Sequence, residues 1–200
     1  MIMFLLSKFK QKKWGKISPA KRQTVLQKVE NKMARRAGRP SLPVSIHTDP
    51  DWYCYGMFEV CNGKQILHIN ISLISDISLR FQALATILHE GRHATQTFIT
   101  ENDIAWFQFK AKRWKRNMAN YVSSKQDKNL YAMQEIERDA QLFTLKKLKR
   151  WYRKFAKEDD FLYTYDAIKH QFDENERKAK ERYGRFYRYK INREIDHMKY

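Results

Sequence analysis

Length, composition and charge indicate a folded domain with a large excess of positive charge. The chain has 200 residues, 42% of them hydrophobic and 14% aromatic, so it can bury a core and does not belong to the disordered class. Its 40 Lys and Arg residues outnumber 22 Asp and Glu residues, and the formal net charge of +18 favours anionic partners. No apolar run approaches the about 20 residues of a membrane-spanning helix. Two cysteines, Cys54 and Cys61, are too few for a secreted disulfide scaffold, so we expect free thiols and a cytoplasmic location.

The positive charge is concentrated in two segments of the sequence. Residues 1–40 contain 12 Lys and Arg against one acidic residue, and residues 106–157 contain 15 against four. Residues 41–105 contain three basic and seven acidic residues, and in residues 158–200 the charges cancel at ten each. The two basic segments are therefore candidate contacts for nucleic acid.

Within the second basic segment, aromatic residues alternate with cations in KAKRWKR (110–116) and LKKLKRWYRK (145–154). Such a surface can hold phosphates and stack bases. The alternative is that Trp114, Trp151 and Tyr152 belong to the core while the cations form a solvated face. The pattern leaves both interpretations open.

The first predicted element is a helix that starts at Ser18. Ser18 is a favoured N-cap, and Pro19 is a favoured first helical residue. Gly38 and Pro40 predict the end of this helix. Between them, one face carries apolar residues at helical spacing, namely Val25, Leu26, Val29 and Met33.

Three strands are predicted next. The stretches VSIHT (44–48), DWYCYGMFEV (51–60) and ILHINISLI (66–74) are rich in β-branched and aromatic residues. Asn62 and Gly63 lie between the second and third stretches and form the strongest short hairpin signal. The pattern predicts a small antiparallel sheet of about three strands.

Helices are predicted over the rest of the chain. Ser75 or Asp76 is expected to cap a helix whose apolar stripe consists of Leu79, Leu84, Ile87 and Leu88. A second helix is predicted over 102–122, with inward residues Ile104, Phe107, Trp114, Met118 and Tyr121.

A third long helix is predicted over 130–157. The sequence then indicates a domain of residues 1–157 that carries a basic N-terminal helix. Residues 158–200 are predicted to form a helical, tyrosine-rich C-terminal extension, with a helix break at Gly184.

The residues HEGRH at 89–93 carry the chemistry of this sequence. Positions four apart lie on one face of a helix, so His89 and His93 can both present an imidazole to one metal ion. Glu90 adjoins the first histidine and remains free to act as a base. The alternative is a core-facing helix with two partly buried histidines. A third ligand on a later helix would distinguish the two.

The stretch EIERDAQLF at 135–143 supplies that candidate ligand. On a helix, Glu135 and Glu137 point about 200° apart, so only one of them can face the metal. A small residue one turn further on, Ala140, allows close helix packing beside Glu137 and favours it over Glu135.

Together, these segments resemble the small gluzincin metallopeptidases, and among them the ImmA/IrrE-type proteins of bacteria, phages and integrative elements. The resemblance rests on the stretch ILHINISLI, on HEGRH, and on the later helix with Glu137, Asp139, Ala140 and Phe143, and it covers residues 43–145. It implies an α+β fold of the minimal zincin type, in which the small sheet packs against the HEGRH helix and the following Glu-bearing helix, with extra C-terminal helices.

The resemblance also implies the roles of individual residues. His89, His93 and Glu137 would be ligands of a Zn²⁺ ion, and Glu90 would be the general base that activates the zinc-bound water. Asp139 would accept the outer N–H of a ligating histidine.

One departure concerns the residue before the second histidine. Many relatives have glycine there, whereas this chain has Arg92 preceded by Gly91. Arg92 is either a solvated neighbour or a contact for a substrate carboxylate. Arg92, Tyr131 and Tyr152 are also candidates for stabilising the oxyanion of a peptidase reaction.

Two classes of function follow from the sequence. The first is a zinc metallopeptidase that cleaves an intracellular protein, for which the resemblance suggests a regulator such as a repressor. The second is a basic nucleic-acid-binding or inhibitor protein on the same fold, with a structural or vestigial metal. An intact Glu90 favours the first, because a structural site needs no base, and the basic segments favour nucleic-acid contact. A DNA-associated peptidase would combine them.

Overall fold

The computed structural model describes residues 5–49, 51–104 and 107–197 and has the expected α+β class. The helices are α1 (Gln11–Trp14), α2 (Pro19–Ala37), α3 (Ser72–Ser75), α4 (Arg80–Glu101), α5 (Gln108–Ala119), α6 (Lys128–Met133), α7 (Glu135–Phe155), α8 (Asp159–Tyr183) and α9 (Tyr187–His197). The strands are β1 (Val44–His47), β2 (Gly56–Cys61) and β3 (Lys64–Asn70). Within the described residues, no helix combines the length and the apolar composition that crossing a membrane requires.

The sheet is mixed, so the prediction of an antiparallel sheet is wrong. β3 lies in the centre, where it pairs antiparallel with β2 and parallel with β1. The hairpin between β2 and β3 turns at Asn62 and Gly63, whose φ angles are 50° and 72°, as predicted. The connection from β1, in contrast, takes the chain past β3 to the far edge of the sheet, so β1 is left running in the same direction as β3.

The predicted strand over 66–74 ends early, at Asn70. The Asn70 side-chain oxygen accepts a hydrogen bond from the Ser72 amide at 2.9 Å, and this bond starts the helical turn α3. The Asn70 amide nitrogen donates to the carbonyls of Trp52 and Cys54 at 3.2 and 3.3 Å, and the chain before β2 forms bends there rather than strand. Side-chain hydrogen bonds therefore outweigh the local β-propensity of the segment.

Helix α2 begins and ends where the sequence predicts. The Ser18 hydroxyl accepts from the Lys21 amide at 3.4 Å, and Pro19 occupies the first helical position. Gly38 ends the helix in the left-handed conformation, with φ of 68°. The predicted apolar face is buried or packs against the core, with members Val25, Leu26, Val29 and Met33.

The start of helix α4 differs from the prediction. Neither Ser75 nor Asp76 caps it, since the helix begins at Arg80. Asp76 instead accepts from both the amide and the hydroxyl of Ser78 at 2.7 Å, which forms a separate turn before the helix. The predicted stripe residues Leu84, Ile87 and Leu88 are buried.

Helix α5 is shorter than predicted, and its central residue is buried as expected. Trp114 is fully buried. Phe107 and Tyr121, predicted to face inward, flank the helix and are 40% and 42% exposed.

The predicted helix over 130–157 is two helices, α6 and α7, with a break at Gln134. The Gln134 side chain is fully buried, and its amide donates to the Val122 carbonyl at 2.9 Å. Its oxygen accepts from the Val122 amide at 3.3 Å and from the Asn117 side chain at 3.1 Å. The local sequence favours a continuous helix, but these contacts hold the backbone of Gln134 extended, with ψ of 150°.

Helix α4 is the centre of the fold. It contacts α2, α5, α7, α8 and the sheet, and buried side chains lie on nearly all its sides. Arg80, at its first turn, is 1% exposed, donates to the Phe9 carbonyl at 2.9 Å, and forms ion pairs with Glu158 and Asp160. Phe161 of α8 belongs to the same core. Helix α8 therefore packs directly onto the helix that carries HEGRH, and it ends at Tyr183, before the predicted break at Gly184. Helix α9 instead packs against α6 and α8, in a separate hydrophobic cluster.

Candidate metal centre

Both histidines of HEGRH and Glu137 come together at one point. Helix α4 presents His89 and His93 on the same face, and Glu137 lies in the first turn of α7. The Nε2 atoms of the two histidines are 3.0 Å apart. Oε2 of Glu137 lies 3.2 Å from Nε2 of His89 and 3.4 Å from Nε2 of His93. The three side chains form a group that could hold a metal ion.

The distances among these three atoms fit a tetrahedral zinc ion. Zinc binds imidazole nitrogen and carboxylate oxygen at about 2.1 Å, which places tetrahedral ligands about 3.4 Å from one another. The three observed separations are 3.0, 3.2 and 3.4 Å. Two imidazoles and one carboxylate are also the donor set of catalytic zinc sites that leave the fourth position to water or substrate. The residues present therefore fit the ion.

Gln96 fixes the orientation of the His93 ring. The Gln96 amide nitrogen donates to the Ile136 carbonyl and to Oδ2 of Asp139, both at 3.0 Å. Both of these partners can only accept a hydrogen bond, so the NH₂ group of Gln96 must face them and its oxygen must face His93. That oxygen lies 2.9 Å from Nδ1 of His93. Nδ1 therefore carries a proton, and Nε2 faces His89 and Glu137. Asp139, predicted to accept directly from a histidine, reaches His93 through Gln96.

Tyr121 holds the other oxygen of Glu137. Its hydroxyl donates to Oε1 at 2.9 Å, which leaves Oε2 directed at the histidines. Glu137 is 6% exposed, and burial by itself raises the pKa of its carboxyl. The charge of His93 and the hydrogen bonds with both histidines outweigh burial and hold this pKa well below its ordinary value. Glu137 is therefore a carboxylate, the form in which it ligates a metal.

The same contacts raise the pKa of His93, whereas they lower the pKa of Glu137. Burial lowers the pKa of this imidazole, but the charge of Glu137 and its hydrogen bond, together with Glu90 and Gln96, raise the pKa to about 9. In the metal-free protein the centre is thus an imidazolium–carboxylate pair, and a metal ion would displace a proton when it binds.

Strand β2 holds Glu90 beside this centre. Oε2 of Glu90 accepts from the backbone amide of Phe58 at 2.9 Å. Gly56 permits this close approach, because a Cβ there would overlap Thr86 of α4 and lie 2.9 Å from the His68 carbonyl. Oε1 of Glu90 has no hydrogen-bond partner among the described residues.

A buried ion pair fixes α2 against α4, the helix that carries HEGRH. Glu30 and Arg39 are joined by two hydrogen bonds of 2.6 and 2.9 Å, and Arg39 also donates to the Gly91 carbonyl at 3.1 Å. A Cβ on Gly91 would lie 3.0 Å from Glu30 and 2.8 Å from Met33. The glycine within HEGRH therefore lets α2 pack closely against α4.

The metal centre opens onto two adjoining cavities of about 720 and 280 Å³, which together we name the cleft. His89, Glu90 and Glu137 line both cavities. The lining described by the structure contains no Lys or Arg, although the net charge of the chain is +18. The cleft is therefore not where the chain would hold a polyanion.

The lining of the smaller cavity is rich in carboxamides, two of them from α8. These are Gln82, Gln141, Gln171 and Asn175. The Asn175 amide nitrogen is buried and has no hydrogen-bond partner within the described residues. An acceptor on a bound molecule would satisfy it.

The remaining predicted site residues lie in different places. Tyr131 lines both cavities of the cleft, edge-on to Tyr121. Arg92 points elsewhere, since it donates to Asp139 at 2.7 Å and lies over the ring of Trp114. Tyr152 packs against α8 through Phe161 and Tyr165. Glu135, the rival ligand, pairs with Arg113 at 3.5 Å.

The aromatic residues of the basic stretches are largely buried. Trp114 is 0% and Trp151 7% exposed, so neither can stack on a base, while Tyr152 is 41% exposed. Cys54 and Cys61 are free thiols, as expected.

Sequence reasoning missed two residues of the centre, Tyr121 and Gln96. Gln96 lies three residues after His93 on the same helix face, and this spacing was a usable signal. Tyr121 reaches Glu137 across a loop and the break at Gln134, so no local pattern indicates it.

Comparisons of this chain with protein-family models, with curated proteins and with solved structures returned no match. The geometry of His89, His93, Glu137 and Glu90 is therefore the basis for a proposed function.

Proposed function

We propose that this chain is a zinc-dependent metallopeptidase of the zincin type, which hydrolyses a peptide bond in a protein substrate. The observation that carries the proposal is the triangle of His89, His93 and Glu137, with edges of 3.0 to 3.4 Å. The neighbouring Glu90 favours a catalytic over a structural zinc site, because a structural site does not require a free carboxylate beside the metal.

Zinc bound at this centre would act as a Lewis acid towards the scissile carbonyl and the attacking water. Glu90 accepts a proton from that water and delivers it to the nitrogen of the leaving amine as the C–N bond breaks. A hydrogen bond from the Phe58 amide holds one of its carboxylate oxygens at 2.9 Å, and Glu90 lines both cavities of the cleft. The products are a carboxylate and an amine.

Tyr131 is the candidate donor to the oxyanion that develops on the scissile carbonyl. It lines the cleft beside Glu90 and Glu137. Burial and the charges of these two glutamates raise the pKa of its hydroxyl above the ordinary value, so the hydroxyl keeps its proton and can donate. Arg92 is less suited to this role, because its guanidinium is held by Asp139.

The test combines metal content with hydrolysis of a peptide library or a protein mixture. We expect one zinc per chain in the wild type. Glu90→Gln should retain the zinc and lose activity by at least about 100-fold, because it removes the base. His93→Ala should lose both zinc and activity, because it removes a ligand.

A matched control is His68→Ala, since His68 contacts Glu59 on the sheet and lies outside the ligand group. It should retain both zinc and activity. A Glu90→Gln variant with undiminished hydrolysis would refute the mechanism, and a wild-type chain that takes up no zinc would refute the metal centre.

A further inference from the structure

Helix α4 borders a second cavity on the face that lies away from the metal ligands. Leu88 and Ile99 of α4 line this cavity, whereas His89 and His93 line the cleft. Helices α2 and α7 form the other walls, and the volume is about 270 Å³. We name this cavity the trough.

The walls of the trough are mainly apolar. They are formed by Leu6, Val29, Met33, Leu88, Ile99, Phe143 and Trp151. Thr95 also lines the trough, but its hydroxyl already donates to the Gly91 carbonyl and accepts from Arg39. Because the backbone groups of the wall helices bond internally, the aliphatic part of these walls offers a ligand no hydrogen-bond partner.

The rim of the trough is cationic. Lys32 and Arg36 of α2 and Lys147 of α7 line it, and none of the three forms an ion pair within the described residues. Arg92 is a fourth lining cation, and Asp139 neutralises it at 2.7 Å. The described lining contains no carboxylate.

The cations at this rim are close enough to affect one another. Burial lowers the pKa of Lys147, and the charges of Arg150, Arg36 and Arg92 lower it further. An anion bound at the rim would relieve this repulsion.

The trough also joins the two basic segments of the sequence. Helix α2 belongs to residues 1–40, and α7 belongs to residues 106–157. These segments are far apart in the chain, yet the fold brings their cations to the rim of one apolar cavity.

We propose that the trough binds a free single-chain anionic amphiphile, such as a medium-chain fatty acid. Its alkyl tail would lie along the apolar walls, and its carboxylate would meet Lys32, Arg36 and Lys147. A nucleic acid or an extended peptide fits less well, because it would bring polar groups against walls that offer them no partners. This site does not depend on the proposed peptidase activity.

The experiment is calorimetric titration of the full chain at neutral pH with decanoate, octanoate and decyltrimethylammonium. We expect one decanoate per chain. Octanoate should bind roughly 15-fold more weakly, because it lacks two methylenes and each buried methylene contributes about fourfold in affinity. Decyltrimethylammonium has the same tail but a cationic head, and it should bind at least about tenfold more weakly than decanoate.

Two variants locate the binding. Lys32→Glu combined with Arg36→Glu should weaken decanoate roughly tenfold or more, because attraction at the rim becomes repulsion. The control variant combines Lys21→Glu with Lys115→Glu, which changes the net charge by the same amount at exposed sites outside the trough. Its affinity for decanoate should stay within about twofold of the wild-type value. Met33→Gln introduces a polar group into the wall and should also weaken binding.

The proposal is wrong if decyltrimethylammonium binds as tightly as decanoate, or if the Lys32/Arg36 variant binds decanoate unchanged. A second result would also refute it. In that result, decanoate does not bind to the wild type, phosphatidylglycerol vesicles or a single-stranded oligonucleotide do bind, and the Lys32/Arg36 variant no longer binds them. Zinc content measured on every variant keeps this outcome separate from the peptidase proposal, because changes at the rim should leave it unaltered.

Discussion

At the residue scale, Tyr121 and Tyr131 are neighbours that both lie close to Glu137. Their ring centroids are 6.2 Å apart, and the Tyr121 hydroxyl donates to Glu137 at 2.9 Å, whereas Tyr131 lines both cavities of the cleft. Residues that orient a metal ligand affect how tightly the metal is held. A donor to the oxyanion instead affects the rate of the chemical step. The pair therefore offers a matched comparison of the two roles by removal of a single oxygen atom.

We predict that Tyr121→Phe weakens zinc binding by about 10- to 100-fold and largely restores activity at saturating zinc. Tyr131→Phe should retain wild-type zinc affinity and lower kcat by about 100-fold. Competition with a chromogenic chelator measures the affinities, and single-substrate kinetics measures kcat. The roles would be reversed if Tyr131→Phe lost zinc while Tyr121→Phe retained it.

At the element scale, the break between α6 and α7 determines where Glu137 lies. Gln134 is fully buried and satisfies both backbone groups of Val122. Two residues beyond the break, in α7, the Ile136 amide donates to the Asn117 side chain at 3.0 Å. These bonds tie the first turn of α7 to α5 and thereby place Glu137 against α4.

Gln134→Ala should lower the free energy of unfolding by at least about 2 kcal/mol, because each buried polar group left unpaired costs about 1–3 kcal/mol. Gln126→Ala is the control, since Gln126 is exposed and bonds only the nearby Ser123, and it should cost less than about 1 kcal/mol. Urea denaturation measures both variants. Equal small losses would show that the break does not depend on Gln134.

Helix α8 is joined to α7 through an ion pair that depends on pH. Glu176 pairs with Arg138 and accepts from the Tyr187 hydroxyl at 2.6 Å. Burial raises the pKa of Glu176, but these hydrogen bonds and the charge of Arg138 outweigh burial and lower it below 4.5. A carboxyl whose pKa is lower in the folded than in the unfolded chain stabilises the fold above the unfolded pKa. That stability is lost as pH falls through the folded pKa.

Glu176→Gln should therefore destabilise the protein most at pH 7, and its difference from wild type should shrink as the pH falls below about 4.5. Glu181→Gln, on an exposed site of the same helix, should change stability little at either pH. Urea melts at pH 7 and pH 4 give the comparison. A difference for Glu176→Gln that stays constant across this range would contradict the assignment.

At the scale of the whole molecule, helix α8 shares a core with the helix that carries HEGRH. Arg80 is buried, and Glu158 and Asp160 neutralise it from the start of α8. Phe161 packs on Phe81 and Phe155, with ring centroids 5.2 and 5.3 Å away. From these contacts we predict that residues 1–157 and 158–200 unfold as a single cooperative unit.

Glu158→Gln combined with Asp160→Asn should cost about 3–5 kcal/mol, because a buried arginine is left without a counter-charge. Asp173→Asn breaks the exposed pair with Lys169 on the same helix and should cost less than about 1 kcal/mol. Thermal unfolding of both variants, followed by one probe for helix content and one for tryptophan environment, tests the prediction. Two separate transitions in the wild type would contradict a single cooperative unit.

The sequence by itself determined the features that depend on neighbours within about one helical turn. Ser18 and Pro19 predict the start of a helix, and Asn62 and Gly63 predict a tight turn. The spacing within HEGRH places two histidines on one helix face. Such signals work because a cap, a turn conformation or an i, i+4 spacing is complete within a few residues. Most of the candidate metal centre belongs to this group.

Only the tertiary structure decided the direction of β1, the helix break at Gln134 and the partner of Arg92. Each depends on groups distant in the chain, as when Val122 satisfies a buried glutamine or Asp139 holds Arg92 away from the cleft. The same holds for the charge, since the two basic segments come together around an apolar trough, while the described lining of the cleft contains no Lys or Arg. In these cases the local secondary-structure propensity is outweighed, because a buried polar or charged group left without a hydrogen-bond or ion-pair partner is costly. The available partners are set by the tertiary fold.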